Sequence, residues 1–361
     1  MKYINEYRDK ELVRILVDRI RTYRGPHVRF MEVCGGHTMA IQKFGIPSLL
    51  PDNVSLVSGP GCPVCVTSLQ FVDHAIALGR RDDTIITTYG DLIRVPGSTS
   101  SLEQEKSHGS DIRMVYSTLE ALAIARDNPS MQVVFLGIGF ETTAPASAAA
   151  LVQAKKENLP NFSVLSAHKV MPPAMAAIVD EDVKLDGYLA PGHVSTITGS
   201  HIYRDICEKY GLPVVVSGFE PADILQSIMM LLEQIRTGNI SVEIQYKRVV
   251  TPEGNLKAQK MLQDVFKLRD DWWRGLGVLP LSGLGVSEAY ADWDAERRFT
   301  AIEVEETQEP EGCICGEVLK GVSHPTECIL FDSVCNPANP VGTCMVSEEG
   351  ACQAFYKYGT E

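Results

Sequence analysis

Short runs of consecutive apolar residues alternate with longer stretches of helical period along the first 250 positions. The first helical stretch, roughly residues 8–23, is amphipathic. After it come VRFMEV (28–33), VSLVS (54–58), TIITT (84–88) and IRMVY (112–116). A second set follows at QVVFLGI (132–138), FSVLSA (162–167), GYLA (187–190) and PVVVS (213–217). Between them lie SLQFVDHAIALGR, TLEALAIARDN and DILQSIMMLLEQIRTG, whose apolar positions recur every three to four residues. Strands alternating with helices predict βαβ units, and strands apolar on both faces predict parallel sheets covered by helices on both sides.

The two sets echo one another. FMEVCGGHT is matched by FLGIGFETT, LVSGPGCPVCVT by YLAPGHVSTIT, and ITTYGD by VVSGFE. Each is a strand running into a Gly-containing turn. The echo predicts two similar open α/β domains, residues 1–125 and 126–250, meeting near 117–131. Open parallel sheets bind ligands at the carboxyl ends of their strands. Cys34, Cys62, Cys65, Tyr89, Glu141, Thr142, His193 and Glu220 all stand at such ends, so one shared cleft is expected.

The pattern changes in residues 251–361. TPEGNLKAQKMLQDVFKLRDDWWRGLG (251–277) predicts a helix ending in an aromatic, Gly-rich turn, and VLPLSGLGVSE (278–288) an extended segment. The tail has little periodicity and many Pro and Gly, so something other than an apolar core must hold it.

Net charge is −13, with no run of basic residues, which argues against nucleic acid as a partner. The start, MKYINEYRDKELVRILVDRI, has no apolar core of the kind a secretory signal needs. The most apolar helix, DILQSIMMLLEQI, is interrupted by polar residues and too short to span a bilayer. A cytoplasmic protein without membrane contact is the expectation. LGIGFET lacks the third Gly of a dinucleotide fingerprint, and no Walker A sequence occurs.

Ten cysteines in such a chain call for a chemical reason. Cys207 stands alone in a helical stretch. Six others form a C-x-C-x12-C-x6-C-x8-C-x7-C tail: Cys313, Cys315, Cys328, Cys335, Cys344 and Cys352. Paired C-x2-C zinc knuckles are absent, and His324 is the nearest imidazole. Four thiolates on loops suit a [4Fe–4S] cluster, with zinc or regulatory disulfides as the other readings. Cys328, Cys335, Cys344 and Cys352 are the evenly spread candidate ligands. Cys313 and Cys315 remain as a redox pair or alternative ligands.

The remaining three thiols sit early. Cys34 ends a strand and is followed by GGHT, so backbone N–H groups can approach a ligand there. Cys62 and Cys65, in SGPGCPVCVT, are expected at the start of the helix TSLQFVDHAIALG, whose N-terminus favours thiolate, which suits redox exchange or a soft metal. His37, Glu141, His168 and His193 are candidate acids, bases or anchors, each with a plain structural alternative.

Together EVCGGHT, SGPGCPVCVT, GFETTAP, APGHVSTITG and the tail CICGEVLKG…NPVGTCMVSEEGAC resemble the HypD family of hydrogenase maturation factors, from near residue 30 to the end of the chain. The resemblance implies a cytoplasmic scaffold that, with a HypC-type chaperone, assembles the Fe(CN)2CO group of [NiFe]-hydrogenases. It implies cyanide delivered by a HypE-type carrier, and Cys34, Cys62 and Cys65 as the cysteines holding the iron fragment. It also implies two related α/β domains and a third bearing a [4Fe–4S] cluster. Such a protein is a redox-active assembly factor rather than a multiple-turnover enzyme. The competing reading is a cluster-dependent protein disulfide reductase.

Overall fold

The computed structural model describes residues 5–181 and 183–359. The expected strands form: β1 Val28–Glu32, β2 Val54–Ser58, β3 Thr84–Thr88, β4 Asp111–Met114, β5 Gln132–Gly139, β6 Phe162–His168, β7 Gly187–Pro191 and β8 Val214–Ser217. A short further strand, β9 Val242–Ile244, joins them, its three residues giving too little pattern to read from sequence. These strands make two open sheets, each parallel throughout, in the orders β2-β1-β7-β8-β9 and β4-β3-β5-β6.

The sheets do not follow the expected division of the chain. β1 and β2 pair with β7 and β8 from the other half, while β3 and β4 pair with β5 and β6. A division at 117–131 therefore cuts both sheets. Local pattern identifies a strand, but its neighbour is set by which long-range crossover buries more surface, and the echo between turns carries no such information.

Residues 251–277 are the second departure. The helix is only Leu256–Val265, capped by the Asn255 side chain. The chain then turns into a hairpin, β10 Phe266–Trp273 and β11 Gly277–Val286, antiparallel with an irregularity between Arg269 and Asp271. Bulky aromatics favour a pleated surface over a helix. Phe266 and Trp273 are buried, and the Trp273 indole N–H donates to Ser282 Oγ at 2.9 Å. The N-terminal helix is Lys10–Ile20, shorter than expected and N-capped by Asp9.

Among the described residues no helix is long and apolar enough to cross a membrane. The tail is a lobe of short helices and turns against the first sheet. Its last helix, Ala351–Tyr358, packs on the helix Gly35–Lys43 that follows β1.

Candidate functional site

β1 and β2 are adjacent and parallel, so their carboxyl-end turns meet. The Gly35 N–H donates to Gly61 O at 3.0 Å. A Cβ on Gly61 would collide with the backbone of Cys34. Only glycine permits this approach, which explains the SGPG preceding Cys62. Cys34 and the Cys62–Cys65 pair therefore sit on turns in direct contact.

Cys34 is the N-cap residue of the helix Gly35–Lys43, its side chain makes no cap hydrogen bond, and the His37 N–H donates to Cys34 O at 2.8 Å. Helix N-termini favour thiolate, but here burial dominates. Burial, with the charges of Glu349 and Glu32, pushes the Cys34 thiol up to about 12. Glu32 is buried and its carboxyl is raised by burial to about 8. Its oxygens accept from Thr38 Oγ1 at 2.5 Å and from Cys34 N at 3.0 Å. Glu349 comes from the tail and lies over Gly35.

Cys62 and Cys65 are joined as a disulfide with Cα atoms 5.2 Å apart, and both are buried. They do not start the long helix. Pro63–Val66 is a separate four-residue turn, and the helix Leu69–Gly79 begins afresh behind Ser68, whose Oγ accepts from Phe71 N at 3.1 Å. The expected activation by a long helix N-terminus is therefore absent. The tail touches this pair directly. Thr343 Oγ1 donates to Cys65 O at 3.2 Å, one residue before Cys344.

Other expected cleft residues divide. His37 is buried, with Nε2 2.9 Å from Gly218 O and Nδ1 without a partner. Burial lowers its pKa to about 4. His193 is exposed and stacks on Phe219 with ring centroids 4.0 Å apart. Glu141 is buried, accepts from Met171 N at 3.1 Å, leaves Oε2 unpartnered, and is raised by burial to about 7. Thr142 and Tyr89 are half-buried, and Tyr89 packs edge-on against Phe135. Glu220 is not a cleft group. It forms a capping box with Asp223 and a two-point ion pair with Arg8, so its carboxylate is committed to holding the N-terminal segment. His168 is a structural anchor, hydrogen-bonded to Ser147 at 3.2 Å and Ser166 at 3.1 Å.

In the tail, the thiols of Cys313, Cys344 and Cys352 all act on the ionisation of Cys315, which is pushed well up. A Cβ on Gly342 would sit 2.6 Å from the sulfurs of both Cys313 and Cys315, so these thiols lie against the residue before Thr343. Cys328 and Cys335 are held otherwise, Cys328 against Gly312 O at 3.7 Å and Cys335 by the Val341 N–H at 3.3 Å. The convergent quartet is thus Cys313, Cys315, Cys344 and Cys352, and two of the expected ligands lie outside it. The hydrogen bond with Cys315 brings the Cys313 thiol down to about 7, and nearby Arg274 acts in the same direction. Four thiols, three of them buried, fit an iron–sulfur cluster in donor type and number. Among the described residues no three His, Cys, Asp or Glu side chains already form a single-ion cage.

Three participants are not evident from the sequence: Glu32, Phe219 and Glu349. Glu32 does carry a signal, as the one carboxylate on a strand otherwise apolar at its inward positions. Cys207 is half-buried in the helix Arg204–Tyr210, away from these groups.

A HypD profile, described as "Hydrogenase formation hypA family", matches residues 11–359. The hydrogenase maturation factor HypD2 of Bradyrhizobium diazoefficiens is 49% identical, covering 99% of this chain and 97% of that protein. The hydrogenase maturation factor HypD of Azotobacter vinelandii is 48% identical, covering 100% and 98%. That of Cupriavidus necator is 46% identical, covering 99% and 97%.

Proposed function

Because the chain belongs to the HypD family of hydrogenase maturation factors, we propose that the Cys34/Cys62/Cys65 turns are where an iron fragment receives its cyanide and CO ligands. The iron is cargo, bound with a HypC-type chaperone and supplied with cyanide by a HypE-type carrier in the cytoplasm. The observation that carries this reading is the contact between the Cys34 and Cys62 turns, made through Gly61.

Electrostatics support it. Cys34 and Glu32 both resist ionisation because burial and neighbouring carboxylates disfavour further negative charge. An entering Fe(II) supplies the missing counter-charge and displaces those protons. Low-spin iron carrying cyanide and CO wants soft thiolate donors. Opening Cys62–Cys65 takes two electrons and yields two thiolates, so the pair is both ligand and redox group. A [4Fe–4S] cluster on Cys313, Cys315, Cys344 and Cys352 would supply single electrons. Thr343 carries the tail's direct contact with Cys65.

The closed disulfide, together with a tail thiol, Cys313, that is brought down to about 7, also gives the second reading, a protein disulfide reductase, its basis. Cys65→Ala separates the two. On the scaffold account it abolishes cyanide transfer to iron, while the tail's iron–sulfur absorbance is retained. Undiminished transfer in this variant would sink the scaffold account.

A further inference from the structure

The turn after β8 contributes an aromatic ring to the cleft rather than the carboxylate of Glu220. Phe219 lies between two imidazoles. The His37 ring stacks on one side with centroids 4.5 Å apart and planes 24° apart. On the other side the His193 ring stands 4.0 Å away with planes 21° apart. Tyr246 meets Phe219 edge-on at 6.0 Å. Both histidine turns leave room for the ring by carrying glycine: a Cβ on Gly36 or on Gly192 would come within 3.2 Å of it. Three strand-end turns, those of β1, β7 and β8, thus converge on one phenyl group.

The neighbouring peptide fixes the chemistry of His37. Gly218 O can only accept, and already accepts from Ser217 Oγ at 2.9 Å. Its peptide is held in turn, since Gly218 N donates to Gln245 Oε1 at 3.1 Å and Gln245 is anchored on Asp223. At 2.9 Å from this carbonyl, His37 Nε2 must carry the hydrogen. Nδ1 is then a bare lone pair, buried and without a partner among the described residues. Buried acceptors left unpaired are costly and uncommon in folded proteins. This one lies on the helix that Cys34 caps, one turn along from the thiol.

We propose that Phe219 is a positioning residue: clamped between His37 and His193, it keeps the His37 ring seated against Gly218 O, the contact that selects the Nε2–H tautomer, and so keeps its Nδ1 lone pair available at the iron-ligand site. The lone pair serves a hydrogen-bond donor or a cation arriving beside Cys34. Phe219 touches neither and acts through the two rings. This rests on the cleft being the assembly site, but the clamp itself can be tested without any iron.

The test uses the full-length chain with nitrogen-15-labelled histidine, free of added metal, and reads the His37 tautomer by long-range proton–nitrogen correlation. The wild type should show a single Nε2–H form. Phe219→Leu should show the Nδ1–H form or exchange between the two, and load iron–cyanide roughly tenfold or more slowly, as small misplacements of reacting groups do. Phe219→Tyr, which keeps the stack, should restore both. If Phe219→Leu does not fold, Phe219→Met is read by the same spectra. An unchanged His37 tautomer in the folded variant overturns the clamp whatever loading does, and so does wild-type loading by the variant. A shifted tautomer together with a wild type that loads no cyanide overturns the site reading instead.

Discussion

Two strand-end turns of similar sequence have taken different roles. EVCGGHT after β1 and GIGFETT after β5 both pass from a strand through glycine into a threonine-bearing turn. In the first, Cys34 stands at a helix N-terminus, and the charges of Glu32 and Glu349 crowd its thiol. In the second, Glu141 accepts a hydrogen bond from Met171 N at the start of the helix after β6, and nearby His168 is tied between two serines. The difference arises from what each turn meets. The β1 turn faces the β2 turn and the tail, which add sulfur and carboxylate. The β5 turn faces the helix after β6, which adds a backbone donor.

The largest effect expected of this contrast after the Cys65 result concerns Glu141. Its carboxyl is raised from 4.5 to about 7 by burial, so the folded protein holds a proton that the unfolded chain loses. Its contribution is therefore fully present below about pH 4.5 and falls away as pH rises to about 7, worth up to about 3 kcal/mol. Glu141→Gln should flatten that part of the slope, gaining stability relative to wild type at pH 8 compared with pH 5. Denaturant unfolding at both pH values reads this, and parallel curves would mean that the Glu141 carboxyl keeps its ordinary pKa in the folded protein.

Much of this contrast can be read from the sequence, and part of it cannot. The strands, the strand-end placement of the thiols and the glycine turns follow from local pattern and turn chemistry. The sheet partners do not, because β1 finds β7 across some 150 positions of chain. Nor does the tail's approach: nothing near Glu349 or Thr343 announces that they meet Gly35 and Cys65. Glu220 resembles a cleft carboxylate because its turn echoes TYGD, yet Arg8 is drawn onto it from the N-terminal segment. The tail spacing indicates a thiol site, but evenly spread cysteines are a poor guide to which ones converge, since loops set those distances.

A smaller effect is expected where the tail meets the thiol turn. Thr343→Val removes the hydrogen bond to Cys65 O, at a cost of about 1 kcal/mol. With the tail as the source of electrons, it also slows reduction of Cys62–Cys65, followed by trapping of free thiols under limiting reductant. Reduction at the wild-type rate would separate the tail from the disulfide in function.

The smallest concerns Glu220. Arg8 is about half exposed, with a side-chain exposure of 53%, so the pair contributes little. Arg8→Ala should lower stability by about 0–1 kcal/mol and leave ligand assembly unchanged. A large loss of assembly would return Glu220 to the site.

The central claim is that the β1 turn, not its β5 counterpart, holds the iron fragment. Infrared spectroscopy of the anaerobically purified complex with a HypC-type chaperone tests it most directly. Cyanide and CO stretching bands should be present in the wild type and in Glu141→Gln, and absent in Cys34→Ala with the tail's iron–sulfur absorbance unchanged. Bands that persist in Cys34→Ala, or vanish only in Glu141→Gln, would contradict the account.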